Sequence, residues 1–185
     1  MPRVNENSFL SGKAAERHLD LNMMLVEFQG LFPYETENDR AIAIVGGTFL
    51  DTLLEHILFA FLPENEKDVE KLMEANQPLG NFSNKITMCY CLGLIDKVIK
   101  SDLNIVRKIR NRFAHDLYVS FEDEQIKSWC NELKWHKHSL MMNPPAEATS
   151  QDLFQVGVNQ LISHLSGCVG IARNEKRTIR DNYKF

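Results

Sequence analysis

The sequence predicts an all-α protein, a single-domain bundle of several helices around a central apolar helix at about residues 38–62. Apolar residues recur at three- and four-residue steps along most of the chain, which is the spacing of an amphipathic helix. Residues 38–62 are instead apolar on nearly every side, and such a helix has to be surrounded by others. No segment alternates between apolar and polar residues regularly enough to predict a strand.

Composition places the chain among ordinary soluble domains. It has 185 residues, of which 44% are hydrophobic and 25% charged, and its net charge is −4. That charge supplies no global basic field to attract nucleic acid or an anionic membrane. The N-terminus lacks an apolar run of signal-peptide length, and the most apolar stretch, residues 41–50, is shorter than a membrane span. Four cysteines without a dense framework indicate reduced thiols, so we expect a cytoplasmic protein without a membrane anchor.

The chain divides into a loose N-terminal arm at 1–10, one helical domain at 11–174 and a basic tail at 175–185. Pro33 ends the first predicted helix, and Thr36 with Asp39 gives a cap-like start to the central one. Gly46 and Gly47 inside the central helix disfavour helix formation, so they predict close contact with a neighbour. The Pro144-Pro145 pair predicts an irregular connection at 134–150. The remaining helices are predicted at 12–32, 67–74, 82–94, 122–133 and 151–173, the one at 82–94 being capped by Asn81 or Ser83.

The segment Asp102 to Leu117, DLNIVRKIRNRFAHDL, organises the rest. Leu103, Val106, Ile109 (or Arg110) and Phe113 form an apolar stripe, so one face should be buried. We expect this helix to begin near Ser101, with residues 96–100 as a bridge into it. Arg107, Asn111 and His115 recur every fourth residue and therefore share another face.

The same segment contains R-x4-H, from Arg110 to His115, with Asn111 next to the arginine. This pattern resembles the catalytic motif of HEPN-domain ribonucleases, which are also small helical proteins. On that hypothesis Arg110 would steady the scissile phosphate and His115 would move a proton. The two side chains lie about 140° apart on a helix, so they converge only if the helix ends at the histidine or if two chains meet. The alternative is structural: basic side chains near a helix C-terminus interact favourably with its carbonyls.

Asp39 and Arg40 open the central helix and allow two interpretations. Arg40 is suited to a phosphate, and Asp39 to capping its helix. Equally, the pair can hold the structure together, for example through contact of Asp39 with Arg107 or Arg110. We favour the structural role because partly buried charges need partners.

No motif predicts a metal or cofactor. Cys89-x-Cys91 and His136-x-His138 offer four zinc-binding side chains, but Cys89 and Cys91 point about 200° apart on a helix, and structural zinc sites prefer two to four residues between cysteines. Phosphate-binding loops, dinucleotide fingerprints, and zinc-protease or esterase motifs do not occur. We therefore predict no enzyme activity, no metal and no cofactor.

Three ordered stretches resemble the mannitol operon repressor family. They are DRAIAIVGGTFLDTLLEHIL at 39–58, PLGNFSNKITMCYCLGLI at 78–95 and LNIVRKIRNRFAHD at 103–116. The resemblance implies an all-helical bacterial repressor of mannitol uptake and utilisation, with one polar site between helices. The residues we assign to that binding site are Asp39, Arg40, Lys85, Arg107, Arg110, Asn111 and His115.

The family name suggests DNA, but the chain has no convincing helix-turn-helix and a negative net charge. We therefore predict a transcriptional regulator that works through a protein partner, with DNA contacted indirectly or through an oligomer such as a homodimer. The alternative is a HEPN-like ribonuclease, or an inactive relative of one, that uses Arg110, Asn111 and His115.

Overall fold

The protein is all-α, as predicted. The computed structural model describes residues 13–32, 38–63, 66–134 and 146–179, and within these ranges every regular element is a helix. The predicted arm at 1–10, His136 and His138 lie outside the described residues, as do most of the 134–150 connection and the end of the tail. The helices are α1 (Lys13–Leu31), α2 (Asp39–Phe61), α3 (Glu66–Met73), α4 (Phe82–Cys91), α5 (Lys97–His115), α6 (Glu124–Glu132) and α7 (Ser150–Asn174).

The central helix of the bundle is α2. Asn38 caps it by accepting a hydrogen bond from the backbone N–H of Ala41 at 3.0 Å. It packs against α1, α4, α5 and α7, and the side chains of Leu50, Leu53 and Leu54 are fully buried. By length and composition α2 is also the one helix in the described ranges that is apolar enough to span a membrane. Its place at the centre of the bundle accounts for that composition, because a core helix is apolar for the same reason.

The glycine pair of α2 allows close approach, as predicted. A Cβ atom on Gly46 would lie 3.1 Å from the Phe32 ring and 3.2 Å from Val158. A Cβ atom on Gly47 would lie 2.8 Å from the Cβ of Arg110 and 2.7 Å from its Cγ. The absent side chain at Gly47 is therefore what lets Arg110 cross the surface of α2.

The predicted start of the organising helix was wrong by about one turn. Helix α5 begins at Lys97, and Asp96 caps it by accepting hydrogen bonds from the N–H groups of Val98 and Ile99 at 2.8 and 2.9 Å. Residues 97–100 are thus part of the helix rather than a bridge into it. Asp102 lies inside the helix and is buried, and its carboxylate accepts a hydrogen bond from the backbone N–H of Lys134. The predicted apolar stripe is confirmed, since Leu103, Val106, Ile109 and Phe113 are all buried.

Both ends of the described C-terminal segment are held in place. Thr149 and Asp152 form a capping box at the start of α7. Beyond α7, the backbone N–H of Arg177 donates to the carbonyl of Phe61 at 2.8 Å, and its guanidinium lies 5.1 Å from the centre of the Phe61 ring. The first residues of the predicted basic tail therefore contact the end of α2.

Candidate functional site

Asp39 and Arg40 clamp the chain where α5 ends. The Arg40 guanidinium donates to the carbonyl of Phe113, and also to the carbonyl of Asp116 at 2.6 Å. The Asp39 carboxylate accepts a hydrogen bond from the backbone N–H of Phe121 at 2.9 Å. Carbonyls at a helix C-terminus have no partner within the helix, so a cation there satisfies them. The pair has the structural contacts we favoured, but Asp39 contacts Phe121 rather than Arg107 or Arg110.

The turn between these two clamped points projects two large side chains into solvent. Leu117 is 79% exposed and Tyr118 is 93% exposed, whereas Val119 and Phe121 are buried. Asp116 holds the start of the turn, since its carboxylate accepts a hydrogen bond from the backbone N–H of Tyr118 at 3.1 Å and pairs with Arg112 at 2.9 Å. We call residues 116–121 the α5–α6 turn. It is fixed at both ends, and its apolar tip is uncovered.

A buried lysine joins α4 to α2. The ammonium group of Lys85 lies 2.7 Å from Glu55 and 3.1 Å from Asp51, which are one helical turn apart on α2. The Lys85 side chain is only 6% exposed. Burial opposes its charge, but the hydrogen bond to Glu55 and the charges of both carboxylates outweigh that effect and raise the pKa of Lys85. Burial also raises the pKa of Asp51, and Lys85 offsets this only in part.

Arg110 reaches the same cluster from α5. Its aliphatic part crosses Gly47, and its charge is close enough to Asp51 to favour the ionised carboxylate. One guanidinium nitrogen donates to the side-chain oxygen of Asn111 at 3.0 Å. Arg107, one turn earlier on the half-buried side of α5, has a buried Nε atom that meets no hydrogen-bond acceptor among the described residues.

The structure separates the predicted polar site into three places. Lys85 and Arg110 meet around Asp51, while Asp39 and Arg40 bind the far end of α5. His115 is exposed at the last position of α5. Whether any of these residues binds a ligand stays a prediction.

Arg110 and His115 do not converge within this chain. Because α5 remains helical through His115, the two side chains leave it about 140° apart. Arg110 packs over α2, whereas His115 faces solvent. A shared catalytic site would need a second chain to supply one of the two groups.

Sequence reasoning missed Asp51 and Glu55 as members of the polar cluster. The signal was available, because two carboxylates spaced by four residues on an otherwise apolar helix need a buried cation between them. Lys85 on the neighbouring amphipathic helix was the matching cation. What the sequence lacked was the register of α4 against α2.

The cysteines are all thiols without disulfides. Burial raises the pKa of Cys89 and of Cys130 to about 12, and it also raises the pKa of Cys168. Cys91 is exposed. In the described part of the chain, no group of three or more histidine, cysteine or acidic side chains is placed to hold a metal ion.

Comparisons with known proteins agree with this fold. The family model described as mannitol repressor, MtlR, matches residues 51–168. A chain in the X-ray structure of the MtlR–HPr complex from Escherichia coli has a TM-score of 0.57 and 20% sequence identity, and the match covers 79% of this chain and 98% of that one. The crystal structure of YggD from Shigella flexneri, described as a possible transcriptional regulator, has a TM-score of 0.55 and 13% identity, covering 79% and 95% of the two chains. No curated protein matches. Because the family model matches more than half of the sequence, the chain belongs to the mannitol repressor family.

Proposed function

We propose that this protein regulates genes for mannitol uptake and utilisation from the bacterial cytoplasm by binding a protein partner. The observation that carries the proposal is the match to the mannitol repressor family, which includes α3, α4, α5 and α6, the second half of α2 and most of α7. A regulator of this kind needs a surface that another macromolecule recognises, and it does not need a complete set of catalytic residues.

HPr is the first partner to test. The MtlR of Escherichia coli, whose fold is similar, was solved in complex with HPr. That similarity supports a protein partner for this chain, with an HPr protein of the same organism as the specific candidate.

Direct recognition of DNA by one copy of the chain has less support. The net charge is −4, and two of the basic side chains of α5 already have protein contacts: Arg110 with Asn111 and Arg112 with Asp116. A recognition helix needs a row of exposed side chains that reach base edges, and non-specific affinity for DNA depends on uncompensated positive charge. The proposal therefore places DNA contacts in a partner or in an oligomer.

The α5–α6 turn is the docking surface that the contacts favour. Tyr118 and Leu117 are large, apolar and uncovered, while Arg40 and Asp39 fix the backbone on either side of them. A fixed loop loses little conformational freedom on binding, so its side chains contribute more to affinity. Tyrosine is also among the residues most enriched at the energetic centres of interfaces.

Isothermal titration of HPr into the purified protein tests both the choice of partner and the choice of docking surface. We expect Tyr118→Ala to weaken binding about tenfold or more, because truncation of a central interface aromatic typically has that effect. Ile171→Ser is the matched control, because Ile171 is 59% exposed on α7, and it should change affinity less than about twofold. Absence of HPr binding to the wild-type protein would contradict the choice of partner. Equal affinities for Tyr118→Ala and wild type would contradict the choice of surface.

We further propose that the chain is not a ribonuclease. The separation of Arg110 from His115 on α5 supports this, because proton transfer and phosphate binding have to act on the same bond. Incubation with a labelled RNA should give the same background cleavage for wild type and His115→Ala. A drop of about a hundredfold in the variant would instead establish the ribonuclease alternative.

A further inference from the structure

We propose that the exposed face of α5 binds the phosphate backbone of a single-stranded nucleic acid without sequence preference. The inference goes beyond the proposed function, because it rests on the distribution of charge and on neither the family match nor HPr. Three features of the molecule carry it: positive charge concentrated on one helix, lysines without ion-pair partners, and a surface that is polar throughout.

The charge of the chain is unevenly distributed. Residues 75–114 contain seven lysines and arginines and two aspartates, a net charge of +5, whereas the rest of the chain contains 14 basic and 23 acidic residues, a net charge of −9. Neither aspartate offsets the charge of the surface, because Asp96 caps α5 and Asp102 is buried with its carboxylate bound to a backbone N–H. Lys85 and Arg110 belong to the cluster between α2, α4 and α5. The positive charge available to a partner therefore lies on the outside of α5.

The exposed side of α5 is basic along most of its length. At about 100° and 1.5 Å per residue, five polar side chains share an arc of about 120° and span about 22 Å of helix. They are exposed or half-buried: Lys97, Lys100, Asn104, Lys108 and Arg112. No acidic residue of α5 lies within this arc. We call these five side chains the basic face.

Three cations of the basic face have no ion-pair partner in the part of the chain that the structure describes: Lys97, Lys100 and Lys108. Two of them contact aromatic rings instead. The ammonium group of Lys100 lies 4.0 Å from the centre of the Tyr90 ring on α4, and that of Lys108 lies 5.9 Å from the centre of the Trp129 ring on α6. Such contacts position a lysine without removing its charge. The three charges thus remain uncompensated at the surface.

The spacing of these cations favours an extended polyanion over a small anion. Lys97 and Lys108 lie about 16 Å apart along the helix axis, which is too far for one phosphate group to contact both. A nucleic-acid strand carries a phosphate on every nucleotide, and neutralisation of those phosphates by lysine and arginine supplies most of its non-specific affinity for proteins. A strand laid along α5 would therefore neutralise all three lysines together.

The polarity of the basic face argues against a protein as its partner. Among residues 82–115 the most exposed large apolar side chain is Tyr90, at 37%. Stable protein interfaces have an apolar centre and a depletion of charged residues there. The α5–α6 turn has that apolar character, since Leu117 and Tyr118 are uncovered, but the basic face does not. The two surfaces therefore suit different partners.

The packing of α5 favours a single strand over a duplex. Because α5 packs against α2, α4, α6 and α7, it does not project from the bundle as a recognition helix does when it enters the major groove. A single strand is flexible enough to follow a surface of this kind, and its bases stack on aromatic side chains next to the backbone contacts. Tyr90 is an exposed aromatic residue beside the basic face.

Fluorescence anisotropy with the full-length protein tests the proposal. Four labelled probes of about 12 units each are compared: oligouridylate, oligothymidylate, a DNA duplex and oligoglutamate. Both single strands should bind, and an increase from about 50 to 200 mM salt should weaken their binding about twenty- to fiftyfold, as expected for three or four phosphate contacts. The duplex and oligoglutamate should bind at least about fivefold more weakly. A preference for oligouridylate would assign the ligand to RNA through its 2′-hydroxyl groups, a preference for oligothymidylate would assign it to single-stranded DNA, and equal affinities would assign both.

A pair of double variants locates the binding surface. Lys97→Gln with Lys108→Gln should weaken binding of the single strands about tenfold or more at about 50 mM salt and should reduce its dependence on salt, because two phosphate contacts are lost. The matched control is Lys67→Gln with Lys71→Gln, which removes the same charge from two exposed lysines of α3 and should change the affinity less than about twofold. All four lysines are exposed, so both variants should keep the circular dichroism spectrum of wild type.

Four results would overturn the proposal. The first is the absence of binding of both single strands at about 50 mM salt and up to about 100 μM protein. The second is an equal loss of affinity in the two double variants, which would indicate attraction to charge anywhere on the protein. The third is tighter binding of the duplex, and the fourth is tighter binding of oligoglutamate, which would assign the basic face to an acidic protein. The experiment contains no HPr and no operon DNA, so its result is independent of the proposed function.

Discussion

Replacement of Lys85 by methionine should destabilise the protein through its two carboxylate partners. The variant keeps the length of the buried side chain and removes its charge, so Asp51 and Glu55 lose the ion-pair partner that they share, and Arg110 remains as a cation near Asp51. Groups four residues apart on a helix lie about 6 Å apart, and at an effective dielectric constant of about 20 two charges at that distance repel by about 3 kcal/mol. The two side chains are 26% and 34% exposed, so solvent screens part of this repulsion. We therefore expect a loss of about 2 kcal/mol in the free energy of unfolding at pH 7.

Urea unfolding followed by circular dichroism measures that loss, and two comparisons test its cause. The triple variant Lys85→Met, Asp51→Asn, Glu55→Gln removes all three charges and should recover to within about 1 kcal/mol of wild type. The single variant should also lose less at pH 5 than at pH 7, because burial already raises the pKa of Asp51 and protonation removes the repulsion. A single variant as stable as wild type, or a triple variant no better than the single one, would refute the reasoning.

Three further predictions concern other parts of the fold. Gly47→Ala should lower the free energy of unfolding by about 1–2 kcal/mol despite the better helix propensity of alanine, because the new methyl group meets the Cβ of Arg110 at 2.8 Å. Gly46→Ala meets only the ends of side chains, so its stability in the same urea assay should be close to that of wild type. Burial lowers the pKa of His56 from its ordinary value of 6.5, so the unfolded chain binds more protons than the folded one as the pH falls through this range. The unfolding temperature should therefore decrease from pH 7 to pH 5, and the decrease should be smaller in His56→Gln. A thiol reagent at pH 8 should modify Cys91 quickly and the three buried cysteines only when the protein unfolds. Rapid modification of all four thiols in the folded protein would contradict the burial of those three cysteines.

The bundle and its central helix were predictable because they depend on periodicity alone. The apolar surface of α2 and the stripe of α5 are properties of composition at fixed spacing, and their burial follows from them. The glycine pair likewise predicted a close approach, although only the structure shows that Arg110 is the group that approaches Gly47.

The predictions that were wrong or incomplete depend on competition between neighbouring capping residues or on the register of one helix against another. Ser101 and Asp102 resemble a helix start, but Asp96 caps the helix one turn earlier, and the burial of Asp102 follows from a tertiary contact with Lys134. The pairing of Lys85 with Glu55 depends on how α4 slides along α2, which no residue pattern in either helix specifies. The resemblance to the family identified polar residues, but it did not distinguish the residues that hold the end of α5 from those that surround Asp51.

The most direct test of regulation through a protein partner is a gel shift on DNA from upstream of the mannitol operon. The purified protein is compared with and without HPr, against control DNA of equal length, at about 50 and 200 mM salt, because non-specific phosphate contacts weaken steeply over that range. The account predicts that the protein alone gives no shift that survives high salt and prefers the operon DNA. A salt-resistant, sequence-specific shift by the protein alone would contradict it and would establish direct recognition of DNA.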